Sequence, residues 1–88
     1  MSEYFAHPGF IMRDVEVGSR EHSWADELRE MWTEPHRSVT LDILDSVLQV
    51  GIREPLMIGD DGRLWDGHHR LAVAVALGLT SIPVTDLR

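Results

Sequence analysis

The sequence predicts a small α+β domain, a mixed sheet packed with about three helices, and three observations predict it. First, 88 residues with 43% hydrophobic content suit one compact core, since so short a chain cannot bury enough apolar surface for two. Second, several segments carry apolar residues at helical spacing between recognisable start and stop signals. Third, short apolar runs flanked by Gly, Pro and Asp mark strands and turns.

The elements follow in order. Residues 1–20 are irregular: Pro8-Gly9 marks a turn, and residues 12–17 alternate enough for one short strand. Ser23 is a preferred N-cap for a helix over 24–32, whose first turn is acidic and whose Leu28, Met31 and Trp32 share a face; Pro35 ends it. Residues 1–33 therefore read as an N-terminal strand-and-helix extension, and 34–88 as the core of one domain. Thr40 can cap a helix over 41–50, where Leu41, Leu44, Val47 and Leu48 recur at helical spacing and Gly51 is the stop. Residues 55–58 and 63–65 flank Gly59-Asp60-Asp61-Gly62, turn chemistry that predicts a β-hairpin. Residues 69–77 are apolar nearly all round, which predicts a buried helix; Gly78 stops it before a last strand at 82–84.

Composition excludes several functions. With no cysteine, disulfides, thiolate zinc sites and thiol chemistry are all absent. No run approaches a membrane span, and residues 1–10 lack the basic start and apolar stretch of a secretory signal, so a cytoplasmic location is expected. The net charge is −7, there is no Lys, and ten acids against four Arg fall in residues 1–50. Phosphate backbones demand clustered cations, so DNA binding by this chain alone is disfavoured.

The chemistry concentrates at Asp66-Gly67-His68-His69-Arg70. A strand turning straight into a buried helix gathers free backbone N–H groups at the positive end of the helix dipole, where anions bind. Gly67 permits close approach, His68 and His69 can donate hydrogen bonds, and Arg70 can grip phosphate oxygens through its planar fork. Asp66 could orient a hydroxyl or hold magnesium. The structural alternative is that Asp66 simply caps the helix, worth about 1 kcal/mol, with the next residues a solvated first turn.

Read in order, Glu34-Pro35-His36-Arg37, the helix ending at Gly51, Gly51-Ile52-Arg53-Glu54-Pro55-Leu56-Met57-Ile58, the hairpin with Asp66 to Arg70, Leu77-Gly78 and Ile82-Pro83-Val84 resemble the N-terminal domain of ParB-like proteins, in the ParB/sulfiredoxin superfamily. Gly67 and Arg70 match the ends of that family's glycine-arginine box, with His68 and His69 in place of its usual Glu and Arg, and Arg37 resembles the arginine after its proline-containing segment. The resemblance implies a nucleoside triphosphate pocket, for CTP as in ParB or ATP as in sulfiredoxin, with magnesium as the companion ion and Arg37, Gly67, His68, His69 and Arg70 as binding residues. Sulfiredoxin carries a Cys where this chain has His68, so sulfinic acid reduction does not carry over. The box is also similar to that of free-serine kinases of the superfamily, which implies Glu34, with Asp66, as carboxylate candidates for phosphoryl transfer or hydrolysis. Centromere binding does not follow, because the helix-turn-helix and dimerisation segments of ParB lie outside these residues.

Two other readings stay open. A non-enzymatic interaction protein of phage or mobile-element type would use Trp24 and Trp32 to contact a host protein, and the nuclease activity attached to the ParB-like label is a minor alternative. A transition-metal site drawing on His7, His22, His36, His68 and His69 is not expected, since adjacent helical residues point about 100° apart and His68 and His69 cannot easily clasp one ion.

Overall fold

The structure is a computed structural model that describes residues 1–18 and 23–88; His22 lies outside the described residues. It contains β1 (Ser2–Ala6), α1 (Pro8–Asp14), α2 (Trp24–Met31), α3 (Arg37–Val50), β2 (Leu56–Ile58), β3 (Leu64–Asp66), α4 (His68–Leu77) and β4 (Ile82–Asp86). The α+β class holds. The four strands form one mixed sheet in the order β1-β4-β2-β3. β4 is antiparallel to β1 and parallel to β2, and β2 and β3 form the antiparallel hairpin. Ile11, Leu56, Ile58, Leu64, Leu71, Ile82 and Val84 fill the core between sheet and helices.

Residues 1–33 share this sheet and core with residues 34–88, through β1 on β4 and through Ile11 and Val15. The strand expected at 12–17 is not formed. Pro8 occupies the first turn of α1 and His7 caps it, Nδ1 accepting from the Gly9 N–H at 2.8 Å, a start that favours helix. Ile11 and Val15, four residues apart, then face the core together. Glu16 forms an isolated bridge to the hairpin, through backbone bonds with Gly62 and Leu64 and an ion pair to Arg63 at 3.0 Å, and the Val17 carbonyl accepts from Arg63 Nη1 at 2.8 Å.

α3 begins at Arg37, three residues ahead of the expected Thr40 cap. Thr40 is fully buried instead, and its hydroxyl donates toward the Met31 and His36 carbonyls, which ties the end of α2 to the start of α3. Of the four apolar residues expected on one face of α3, Val47 is buried, whereas Leu41 and Leu48 are exposed. α4 also departs from the expectation of complete burial: Leu71 to Ala74 are buried, but Val75 and Leu77 reach solvent. Among the described residues no helix is long and apolar enough to cross a membrane.

Candidate functional site

α4 starts at Gly67, whose φ of 105° lies in the left-handed region. A Cβ there would stand 2.8 Å from the Leu56 Cγ, so this close approach of β2 to the turn requires glycine. Gly67 is the N-cap and no side chain caps the helix. Asp66 therefore does not play the capping role considered from the sequence. Its carboxylate meets Arg70 instead, Oδ2 to Nη2 at 3.1 Å.

Arg70 is the hub of the turn. Its Nη1 donates to the carbonyls of Glu54 and Pro55 at 2.8 and 2.7 Å, which fastens the first turn of α4 to the segment entering β2. The same residue walls a cavity of about 450 Å³ between α3 and residues 51–54. Ile43, Val47, Val50 and Ile52 supply its apolar wall, and Ser46, Arg53, Glu54 and Arg70 its polar rim.

The two imidazoles leave the helix in different directions, as the 100° step between neighbours requires. His68 turns toward α2, where its ring lies 6.4 Å from that of Trp24 at a tilt of 32°. A Cβ on Gly18 would come within 3.0 Å of its Nε2, so the ring is closely enclosed. His69 turns toward the start of α3, its ring 5.4 Å from that of His36, and its buried Nε2 finds no hydrogen-bond partner among the described residues. Burial pushes the pKa of both imidazoles below the ordinary 6.5; Glu27 opposes this at both, while His36 and His68 reinforce it at His69. Neutral rings are poor phosphate grips. Neither side chain lines the cavity.

Of the other expected residues, Arg37 and Glu34 are exposed and stand outside the cavity lining. The structure thus brings Asp66 and Arg70 into contact beside Gly67, and Arg37 directly follows His36, whose ring packs on that of His69. Trp24 is half-buried, its indole N–H donating to the Val15 carbonyl at 2.8 Å, and Trp32 is the half-buried C-cap of α2. The well-exposed indole is that of Trp65. His7 serves α1, and among the described residues no group of three or more His, Asp or Glu is placed to hold a metal ion.

Sequence reasoning missed two residues. Arg53 follows directly from the cavity, which joins helix and loop residues that no local pattern links. Glu27 is only 8% exposed and acts electrostatically on both imidazoles. Its signal was present, because it sits three residues after Trp24 and four before Met31, an acid on the apolar face of α2.

No protein-family model and no curated protein matches the chain. A solved structure described as the C2221 form of a Pnob8-like ParB-N domain is similar over 97% of this chain, with a TM-score of 0.63 and 19% sequence identity. The chain spans 29% of the length of that protein. The likeness establishes the fold, which is that of a ParB-N domain.

Proposed function

We propose that this ParB-N-like domain binds a nucleoside triphosphate, ATP or CTP, with base and sugar against α3 and the phosphates toward Arg53, Arg70 and the first turn of α4. One observation supports the reading most: a largely apolar cavity of about 450 Å³ whose lining includes Arg53 and Arg70 beside Glu54. That volume lies within the roughly 300–1,000 Å³ usual for small-molecule sites, which pair apolar walls with a few placed polar groups. The first N–H groups of α4 add donors, aligned with the positive end of its dipole. His68 and His69 contribute those backbone groups rather than their rings.

Glu34 and Arg37 do not line the cavity, so the binding mode rests first on Arg53 and Arg70. Asp66, exposed beside the guanidinium, is the carboxylate that would hold magnesium, which prefers oxygen ligands and keeps several waters. Hydrolysis or phosphoryl transfer at such a site would rest on positioning and charge neutralisation, with Asp66 as the available carboxylate. Binding, not turnover, is the core of the proposal.

Calorimetric titration of ATP, CTP and ADP with magnesium tests it. Removing a charged hydrogen-bonding group costs about 1.5–3 kcal/mol, so Arg53→Ala should weaken binding by roughly 10- to 150-fold. Arg70→Ala should do at least as much, though it also frees the Glu54 and Pro55 carbonyls and needs a thermal melt beside it. Absence of heat with every nucleotide on the unaltered protein refutes the reading.

A further inference from the structure

We propose that Asp66 is a built-in competitor for the anion site, a carboxylate that occupies the Arg70 guanidinium until a phosphate displaces it. This inference rests on the nucleotide reading above and adds to it an autoinhibitory contact.

The argument starts from the donors of Arg70. Both hydrogens of Nη1 are committed to the Glu54 and Pro55 carbonyls, so the guanidinium cannot swing out to meet a ligand. What remains are the Nε hydrogen and the two on Nη2, and at Nη2 the Asp66 Oδ2 sits at 3.1 Å. The two partners differ in mobility. Arg70 has a side chain only 16% exposed, whereas that of Asp66 is 67% exposed, and its backbone is held in β3 by pairing with Met57. Asp66 can therefore leave by side-chain rotation alone, with no strand broken. The fixed partner is the cation and the removable one is the anion.

An incoming group must outbid that carboxylate. A ligand carboxylate merely repeats the contact it displaces and gains little. A phosphate or polyphosphate brings more charge and more acceptor oxygens to the same fork, and it can use Arg53 across the cavity as well. Asp66 thus lowers by one common factor the affinity of every anion that needs this side of the guanidinium, a cost that a polyphosphate with further contacts overcomes. Magnesium would add to the effect by drawing the displaced carboxylate onto the metal.

The test uses inorganic tripolyphosphate, and citrate as the carboxylate probe, titrated without magnesium into the full chain and its variants. Exposed ion pairs are worth up to about 1 kcal/mol, so Asp66→Asn should bind tripolyphosphate roughly threefold to fivefold tighter. Citrate should gain by a similar factor, because the fraction of protein with a free guanidinium rises equally for both probes. Asp66→Ala guards against an asparagine that keeps the contact, and Glu54→Gln removes a cavity-rim charge whose carboxylate is not the partner of Arg70. Gains in both Asp66 variants with a clearly smaller gain in Glu54→Gln support the proposal. Equal gains in Glu54→Gln and the Asp66 variants reduce the effect to net charge and overturn it. Binding by the unaltered protein that is unchanged or weakened in both Asp66 variants also overturns it, while leaving the nucleotide site standing. If neither probe nor ATP or CTP binds any form, the nucleotide reading falls and the competitor with it.

Discussion

Gly67→Ala puts the local geometry of the site to a quantitative test. Two separable costs meet at this position. The φ of 105° forces an L-residue into a sparsely populated region, at about 1–3 kcal/mol. The added Cβ also meets the Leu56 Cγ at 2.8 Å and the Leu56 Cα at 3.2 Å, and overpacking of this kind adds about 1–3 kcal/mol. Leu56 is fully buried in the core and its backbone is held between β3 and β4, so neither atom can retreat cheaply. The sum is about 2–6 kcal/mol, a large share of the roughly 4–13 kcal/mol expected for a domain of this size. Gly78→Ala serves as the reference, because Gly78 is also in the left-handed region, at φ 68° and ψ 31°, with nothing within 4 Å of the added Cβ; it carries strain without the clash. Urea unfolding followed by circular dichroism should show both variants destabilised, Gly67→Ala by at least about 1 kcal/mol more than Gly78→Ala. Equal losses would refute the close approach of β2 to the turn, and with it the placement of the first turn of α4 beside the cavity.

Two further outcomes follow from the packing. Thr40→Val removes a fully buried hydroxyl and leaves the Met31 carbonyl without the donor it has now, which should cost about 1–3 kcal/mol and lower the melting temperature by several degrees; an unchanged melt would contradict the α2–α3 tie. His68 and His69 both have folded pKa values below 6.5, so below that pH the unfolded chain binds more protons than the folded one. Their contribution is fully present above the unfolded pKa and is lost as pH falls through the lowered folded values. The urea midpoint should therefore fall between pH 8 and pH 5, less steeply in His68→Gln, and a midpoint that rises on acidification would contradict the enclosure of these rings.

How far the sequence could be read depends on how local the cause was. α4 and the hairpin were legible because their signals sit within them: Gly78 ends α4 and Gly62 takes a φ of 80° in the turn. β1 was not, since its pairing partner lies at the other end of the chain, Ser2 opposite Asp86, and five residues carry no period strong enough alone. The alternation at 12–17 misled because Val15 and Val17 are both buried, but on a helix end and the segment leaving it. At the site, Gly67 and Arg70 were found from the box itself. The direction of the His68 and His69 rings depends on what α2 and α3 place beside them, and Arg53 joins the cavity through a loop whose path no motif records.

The order of the sheet sets the timing of folding in the cell. β4 is an inner strand, flanked by β1 and β2, and the Tyr4 hydroxyl donates to Asp86 across a sequence separation of 82 residues. During synthesis at about 5–20 residues per second, β1 waits roughly 4–16 s before its partner is made. Until β4 is made, β1 has no partner strand and β2 is paired on its β3 side alone, so both carry an open edge available for chaperone capture or mispairing. A chain cut before Ile82 would lack the strand that joins β1 to the β2–β3 hairpin.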